Sequence, residues 1–413
     1  AAAAGGRAST PGEWLRVFEK LSKFRLSAFV ASTATAGYVV GSGESVDWAG
    51  AGYVTLGTML ASSAANTLNQ VYERMNDGRM TRTMKRPLPA GACSVPQALA
   101  FAAACTVTGV GVLATFSGTE AAVLGAGNIA LYAGVYTPLK QMSVANTWVG
   151  AVVGGVPPLM GWAAAADGLQ PGALVLAGLL YCWQLPHFMS LAWMHREDYA
   201  RGGFRMLPIM DATGRRVANV ALRNSLALLP LSYAAYALGV TTELFAWESA
   251  AFALALTMSS AAFRIRLSNA TARTLFLTSL GYLPMAMAAM CWHRLPNADA
   301  AERETAGARA HAEGTGASAV AGPATNVLGA RSAADEDMPA ALALEQLSLA
   351  PFPFLPPPML PERSLRLRRG GVEGGAGVAK GGGGEGASAG GGESALGAAA
   401  VRGVAAGSAS VKR

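Results

Sequence analysis

The chain has 413 residues, of which 52% are hydrophobic and only 14% are charged, whereas typical soluble domains carry about 25% charged residues. Its four cysteines are too widely spaced for a disulfide framework or a CxxC metal knuckle. The lack of a short repeat excludes a fibrous protein, and composition therefore indicates a polytopic membrane protein with a polar tail.

Nine apolar segments follow one another along the first 292 residues. Most approach the length of about 20 helical residues that is needed to cross a hydrocarbon core about 30 Å thick. They predict an all-α membrane protein with nine transmembrane helices, of which the first is short and rich in Ser, Thr and Gly. The segments cover residues 26–43, 49–70, 95–117, 119–137, 146–166, 171–194, 217–240, 245–264 and 274–292.

The net charge of +7 does not indicate nucleic-acid binding, because its distribution follows the predicted spans. Alternate loops are basic, and the loops between them carry acids without Lys or Arg. This positive-inside pattern predicts that the N-terminus and the basic loops lie inside and that the C-terminus lies outside. The basic groups fall at residues 7–25, 74–86, 140, 196–216 and 264–273, and the acids at 44–47, 120, 167 and 243–248.

The two ends of the chain differ in composition from the apolar middle. Residues 1–14 begin with a stretch that contains Arg7 and no acid, which predicts the end of an organellar transit peptide or a disordered leader. Residues 15–295 are predicted to form the membrane domain. Residues 296–413 are dominated by Ala, Gly and Pro and are predicted to be a disordered tail, because such a segment buries too little apolar surface.

The second apolar segment ends in polar residues that lead into a basic loop. If its helix continues, Asn69, Glu73 and Asp77 share about 80° of one face. Carboxylate and amide oxygens bind Mg²⁺, which bridges phosphate oxygens, while Arg and Lys neutralise the remaining charge. The alternative is an ordinary basic loop with two neutralising acids, although Asn66 and Asn69 within the span disfavour it, because buried amides require partners.

The sixth apolar segment carries a second set of polar residues. Spacings of three and four predict that Gln184, His187 and Asp198 share one helix face, with His187 roughly 16 Å deeper in the bilayer than Asp198. Polar side chains along a helix face inside the bilayer are energetically unfavourable unless they line a cavity. The alternative for His187 is a hydrogen bond to Gln184 or to a backbone group freed by Pro186, and for His195 it is a solvated loop position.

A third set of polar residues lies at the end of the fourth segment, on the same predicted side of the membrane. It contains Tyr132, Tyr136 and Lys140. Lys140 is either a lone membrane anchor or, beside two acidic motifs, a ligand for a diphosphate. The two acidic motifs lie four spans apart, which predicts two similar halves converging on one pocket.

Together these residues resemble the haem branch of the UbiA-type intramembrane prenyltransferases. The resemblance covers about residues 15–295, and the motifs are specific in combination. Glu73 stands where many bacterial members have Asp, and Gly202 stands where the wider superfamily often has a second acid, a loss that the haem branch shares. The matching stretches are residues 21–26, 69–87, 136–140, 146–154, 157–162, 183–188 and 196–203.

The resemblance implies a nine-helix bundle around a cavity that opens laterally to lipid and is capped by the two motif loops. It further implies a farnesyl transfer from farnesyl diphosphate to the vinyl group of haem B, which forms haem O, with Mg²⁺ as cofactor. His187 and His195 are the alternatives for haem contact, and the sequence does not choose between them. By resemblance, the metal ligands are Glu73, Asp77 and Asp198, the diphosphate contacts are Asn69, Arg82, Arg86, Lys140 and Arg201, and the catalytic residues are Asp77, Asp198 and Lys140.

Two other functions are compatible with parts of this pattern. One is a quinone-precursor prenyltransferase that acts on a 4-hydroxybenzoate-type acceptor, and the other is a non-catalytic transporter or an assembly scaffold. The haem reading predicts a place in haem A and cytochrome c oxidase biogenesis, with the lipid bilayer as environment and haem A synthase or oxidase assembly factors as candidate partners. It predicts the mitochondrial inner membrane with basic loops facing the matrix, or else a bacterial plasma membrane.

Overall fold

The computed structural model describes residues 8–166 and 168–298, which form helices joined by short loops, without a β-strand among them. The predicted leader boundary at residue 14 falls inside the first helix, and the predicted tail beyond residue 298 lies outside the described residues. The helices are α1 Pro11–Leu21, α2 Phe24–Gly41, α3 Trp48–Asp77, α4 Val95–Phe116, α5 Thr119–Ala130, a π-helical turn Leu131–Tyr136, α6 Thr137–Met142, α7 Asn146–Ala166, α8 Pro171–Met194, α9 Arg196–Arg201, α10 Leu207–Met210, α11 Arg215–Ala237, α12 Glu243–Ile265 and α13 Asn269–Trp292.

Nine long helical segments in the described part of the chain coincide with the nine predicted spans, the fourth being α5, the π-helical turn and α6 in continuity. Six of them, α4, α5–α6, α7, α8, α12 and α13, are long and apolar enough to cross a membrane by length and composition. The helices α2, α3 and α11 fall short of that standard. The all-α membrane architecture is confirmed, and the count of nine crossings stays a prediction.

Helix α8 corrects one sequence prediction. It passes through Pro186 without a break and ends at Met194. The chain leaves the helix at His195, whose backbone N–H donates to the Leu191 and Trp193 carbonyls, and α9 then starts at Arg196. The prediction that Asp198 shares a continuous helix face with His187 is therefore wrong.

Helices α2 and α7 approach each other closely because glycines face the partner backbone. A Cβ atom at Gly37 would clash with the Pro158 carbonyl, and one at Gly161 would clash with the Ala34 carbonyl. Small residues at a crossing let two membrane helices make extensive van der Waals contact. This close crossing joins the first part of the bundle to the second, since α7 also contacts α8.

Helices α11 and α12 are joined by two pairs of hydroxyl groups. Ser225 of α11 lies 2.7 Å from Ser260 of α12, and Ser232 lies 2.8 Å from Ser249. Hydroxyl pairs of this kind satisfy polar groups inside an apolar bundle. The helices α8, α11, α12 and α13 consequently form one continuous apolar core, which supports one wall of the central chamber.

Helix α1 lies beside the end of α3 and precedes α2 directly. Its apolar face, with Val17 and Leu21 buried, packs against Cys93 and Ala98 at the start of α4. Lys23 separates α1 from α2 and has a φ of +47°, a region that non-glycine residues rarely adopt. The turn directs the chain from α1 into α2 next to the polar end of α3.

Candidate active site

A chamber of about 310 Å³ lies between the long helices. Its walls come from α2, α3, α5, the π-helical turn, α7, α8 and α13, and they are mainly apolar. A second crevice of about 370 Å³ runs between α2 and α13 and shares Phe29, Thr33 and Leu283 with the chamber. The two spaces therefore adjoin each other along the seam between α2 and α13.

The π-helical turn brings two tyrosines to the polar end of this chamber. The rings of Tyr132 and Tyr136 lie 5.3 Å apart, and both line the chamber. The Tyr132 hydroxyl donates to Asn66 Oδ1 at 3.3 Å. The ammonium of Lys140 lies 4.8 Å from the centroid of the Tyr136 ring, so the chamber continues directly into a charged cluster.

Helix α3 supplies the acids of that cluster, as the sequence predicts. The helix continues unbroken to Asp77, with Glu73 one turn earlier. Glu73 Oε1 pairs with Lys140 Nζ at 2.5 Å, and both Asp77 oxygens accept from Arg86 Nη1 at 2.8 and 2.7 Å. All these groups are largely withdrawn from solvent, Arg86 least so, and a lone buried charge is costly. Each acid therefore has a cation as its partner.

Asn69 lies one turn before Glu73 and is also buried. Its Nδ2 donates to the Thr137 hydroxyl at 3.0 Å, and its Oδ1 accepts from Lys23 Nζ at 3.2 Å. Burial, followed by repulsion from Arg86, lowers the pKa of Lys23 to about 7. The sequence shows Lys23 as a basic-loop charge within one of the matching stretches, and its contact with Asn69 has no sequence signal because it depends on the α1–α2 turn.

Asp198 lies in the loop after α8, where it contacts the loop that follows α3. Its Oδ1 accepts from the Thr81 amide at 2.8 Å and from Arg201 Nη2 at 2.6 Å, and its Oδ2 accepts from the Arg82 amide at 3.3 Å. Burial acts to raise the pKa of Asp198, but the hydrogen bonds from Arg201 and the two amides outweigh it and lower the pKa to about 2. Asp198 is thus an ionised anchor between two loops.

Other contacts join the same two loops. Asn76 Nδ2 donates to the Gly202 carbonyl at 2.6 Å, and Arg82 Nη2 donates to the Tyr199 hydroxyl at 3.1 Å. Met80 is fully buried against Tyr199 and Phe204. The loops after α3 and α8 therefore pack as one cap, and both acidic motifs lie at the same end of the bundle.

The three predicted metal-ligating acids do not form one cluster in this structure. In the described part of the chain, no three His, Cys, Asp or Glu side chains are arranged to hold a metal ion. Asp198 is engaged by the loop amides, whereas Glu73 and Asp77 are engaged by Lys140 and Arg86. The proposed ligation by all three acids stays a prediction.

The two candidate histidines have different surroundings. His187 lines the chamber and lies 2.9 Å through Nδ1 from the Ser279 hydroxyl of α13. His195 does not line the chamber, and it lies in the cap near Arg82 and Asp198. Burial lowers the pKa of His195, and the Arg82 charge lowers it further.

Arg82 and Arg201 lie in the cap and not beside the acids of α3. The Arg201 side chain is 55% exposed and bridges Asp198 to the Thr81 hydroxyl. The Arg82 guanidinium lies 5.4 Å from the Tyr199 ring centroid. The structure therefore brings together Asn69, Glu73, Asp77, Arg86 and Lys140 directly, and joins Arg82, Asp198 and Arg201 to them through the loop of residues 78–86.

The chain is similar in sequence to one family of known proteins. Residues 30–281 match the model of the UbiA prenyltransferase family. A mitochondrial protoheme IX farnesyltransferase of Arabidopsis thaliana is 41% identical over 347 residues, which are 84% of this chain and 77% of that protein. The Homo sapiens protein of the same name is 42% identical over 281 residues, which are 68% of this chain and 63% of that protein.

Solved structures show the same fold at low sequence identity. A UbiA homologue from Archaeoglobus fulgidus, bound to GPP and Mg²⁺, aligns with a TM-score of 0.53 and 14% identity, covering 66% of this chain and 99% of that one. The likeness concerns the helical framework alone. With the family model matched across the long helices, the chain belongs to the UbiA prenyltransferase family.

Proposed function

We propose that the chain transfers the farnesyl group of farnesyl diphosphate to a vinyl group of haem B, which yields haem O for haem A and cytochrome c oxidase biogenesis. Two relatives at 41% and 42% identity are protoheme IX farnesyltransferases by name, which supports this acceptor. The observation that carries the proposal is the cluster of ion-paired acids on α3 at the polar end of an apolar chamber.

Mg²⁺ is the proposed cofactor, and the donors on α3 suit it. Glu73, Asp77 and Asn69 present hard oxygen atoms from three successive turns of one helix. Among the described residues, the buried Glu73 Oε1 has the Lys140 ammonium as its one polar contact. When bound, the ion would stabilise negative charge on the departing diphosphate.

The ion pairs of the cluster suggest how substrate is accommodated. Glu73 and Asp77 would hold the metal ion, and Lys140 and Arg86 would then be available to the phosphate oxygens. Both the acids and the cations would keep a partner of opposite charge, so neither would be buried alone. Lys23 lies close enough to Asn69 to join the same anion. The alternative role of Lys140, a lone membrane anchor, does not account for its burial and its contact with Glu73.

Asp198 and Arg201 have a different role in this proposal. Both Asp198 oxygens accept from the backbone of the first loop, so the residue holds Arg82 and the segment that leads to Arg86 in place. Direct ligation of the metal by Asp198, as predicted from the sequence, would require it to give up part of this bonding. Arg201 lies at the exposed edge of the cap, where it can meet the diphosphate as it arrives or leaves.

The transfer itself needs a site that is dry and rich in aromatic groups. As the bond between C1 and the diphosphate oxygen breaks, C1 gains allylic-cation character, and the rings of Tyr132 and Tyr136 face the chamber where it forms. The vinyl group of haem B then bonds to C1. Water adds to the porphyrin-stabilised cation and loses a proton, which gives the hydroxyethylfarnesyl group. The apolar walls exclude bulk water from the earlier step.

The proposed location is the mitochondrial inner membrane, with the cap and the basic loops facing the matrix. The relatives' names include that organelle, and six helices suit a multi-pass membrane protein. The product would pass to an enzyme that oxidises haem O, so haem A synthase and oxidase assembly factors are the proposed partners.

Analysis of haem pigments tests the proposal. Membranes that contain the chain, incubated with haem B, farnesyl diphosphate and Mg²⁺, should form haem O, detected by liquid chromatography and mass spectrometry. The matched Asp77→Asn membranes should form far less haem O at the same Mg²⁺ concentration. The proposal is overturned if the inserted wild-type chain forms no haem O, or if it prenylates 4-hydroxybenzoate in place of haem B. Lack of any Mg²⁺-dependent release of diphosphate would favour a transporter or scaffold.

A further inference from the structure

The hydrogen bonds around Ser279 determine which nitrogen of His187 carries a proton. Ser279 Oγ lies 2.7 Å from the Phe276 carbonyl and 2.9 Å from His187 Nδ1. A hydroxyl has one proton, and a carbonyl can only accept. The Ser279 proton therefore goes to Phe276, so His187 Nδ1 must be the donor to Ser279 Oγ.

The His187 ring is neutral in this setting. The Trp183 ring stacks on it at a centroid distance of 5.1 Å, and the Phe276 ring, tilted by 31°, lies 4.8 Å away. No acidic side chain of the described residues forms an ion pair with it, and an unpaired charge in an apolar wall is costly. A neutral imidazole that donates from Nδ1 has its lone pair on Nε2.

His187 Nε2 has no hydrogen-bond partner among the described residues and is not among their fully enclosed polar atoms. The open space that His187 borders is the chamber. Trp183 Nε1 donates to the Ser279 carbonyl at 2.6 Å, which fastens α8 to α13 at this level. The ring is thus held by two aromatic neighbours and through Nδ1, which leaves Nε2 as the nitrogen available to a ligand in the chamber.

We propose that His187 Nε2 is the axial ligand of the haem iron in the acceptor complex, an inference that rests on the proposed function. A histidine that ligates a metal ordinarily donates its other N–H to a fixed acceptor, which sets the ring orientation, and Ser279 is that acceptor here. A neutral imidazole is a usual proximal ligand for haem iron. Ligation at this point would fix the porphyrin, and so its vinyl groups, relative to the polar end of the chamber.

The chamber at His187 adjoins a second space. His187, Phe188 and Leu283 line the chamber, and Leu283 also borders the crevice between α2 and α13. A porphyrin held at His187 can occupy the adjoining part of both spaces. His195 cannot serve the same role, because it lies in the cap and outside the chamber lining.

Binding of two porphyrins to the purified full chain tests the proposal. Haem B and metal-free protoporphyrin IX differ in the iron, so loss of an axial ligand weakens only the first. His187→Ala should raise the Kd for haem B more than Ser279→Ala, for which about tenfold is expected. Neither variant should change the Kd for protoporphyrin IX by more than about twofold, and added imidazole should restore haem binding to His187→Ala.

Spectroscopy supplies a second measurement and a control. Resonance Raman spectra of ferrous haem on the wild type should show an iron–histidine stretch that is absent in His187→Ala, shifted in Ser279→Ala and unchanged in His293→Ala, where the substituted ring pairs with Glu248. Equal loss of both porphyrins in His187→Ala would mean packing or propionate contact and overturn the proposal. So would an iron–histidine stretch that persists in His187→Ala or disappears in His195→Ala.

Failure of the ligation can be told apart from failure of the enzyme. If the wild type makes haem O while His187→Ala keeps the iron–histidine signal, the function stands and the ligation is wrong. If the wild type shows the His187-dependent signal but makes no haem O, the chain binds haem and the proposed transfer is wrong.

Discussion

The two acidic regions of the cap occupy the same end of the bundle and hold their charges in different ways. On α3, Glu73 and Asp77 lie on an unbroken helix and are paired with the side chains of Lys140 and Arg86. After α8, the helix stops at Met194, and Asp198 is bound by main-chain amides of the opposite loop.

The two regions therefore differ in whether they can exchange partners. A lysine or arginine side chain can turn away from an acid when a metal ion and a diphosphate arrive. A main-chain amide can do so only if its loop moves. The α3 acids therefore suit substrate binding, and Asp198 suits the positioning of Arg82 and the loop around it.

The largest expected effect is on the α3 side. Asp77→Ala should lower kcat for haem O formation by about 10³-fold, because it removes a proposed ligand of the metal ion that would stabilise the departing diphosphate. The measurement is haem O by mass spectrometry in membranes with matched protein content. Turnover near the wild-type rate would show that the α3 acids are not the reacting site.

Lys140 allows the buried ion pair to be tested through stability. Lys140→Gln leaves Glu73 charged and buried without its partner, which should cost about 3 kcal/mol of unfolding free energy. The double variant with Glu73→Gln should recover part of that loss. Thermal unfolding in detergent provides the comparison, and a double variant less stable than Lys140→Gln would argue against the pairing.

Asp198→Asn should have a smaller effect and a different pattern. It keeps a carbonyl oxygen for the Thr81 amide but loses the charge. We expect this loss to raise the activation free energy by about 1.5 kcal/mol, which lowers the rate about tenfold. Hydrogen exchange at residues 79–86 should increase. The Mg²⁺ concentration for half-maximal rate should stay within about twofold of wild type, since other residues hold the ion in this account.

A matched Asp77→Asn variant makes the Mg²⁺ comparison decisive. It should raise the Mg²⁺ requirement while hydrogen exchange in the loop changes less. An equal rise of the Mg²⁺ requirement in both variants would support Asp198 as a metal ligand, as the family resemblance implies.

The smallest expected effect concerns Lys23 and pH. Its pKa of about 7 in the folded chain lies below the unfolded value of about 10.4. The unfolded chain therefore binds more protons between these values, and stability rises with pH across that range. Thermal unfolding should show a steeper rise from pH 7 to pH 9 in the wild type than in Lys23→Met. Equal slopes would contradict the buried amine.

The sequence predicted the long helices well because each is a continuous apolar run that ends at charges. It also predicted the α3 face, since Asn69, Glu73 and Asp77 follow one helical period that the structure keeps. Loop charges also predicted that the two motifs lie at the same end of the bundle, where the structure joins their loops.

The remaining features depend on contacts between distant parts of the chain. The break at His195 is not marked by Gly or Pro, so the residue spacing predicts a helix face that reaches Asp198, whereas α8 ends at Met194. The partners of Asp198 are main-chain amides of another loop, which have no sequence signature. Ser279 lies 92 residues from His187, and only the crossing of α8 and α13 brings them together.

In the proposed function, Glu73 and Asp77 exchange Lys140 and Arg86 for a metal ion that is held with a prenyl diphosphate. Electron paramagnetic resonance of Mn²⁺, in place of Mg²⁺, tests this exchange on the purified chain with an unreactive farnesyl thiodiphosphate. We expect bound Mn²⁺ in the wild type that depends on the thiodiphosphate and is lost in Asp77→Asn. Mn²⁺ binding of equal strength in Asp77→Asn would contradict it.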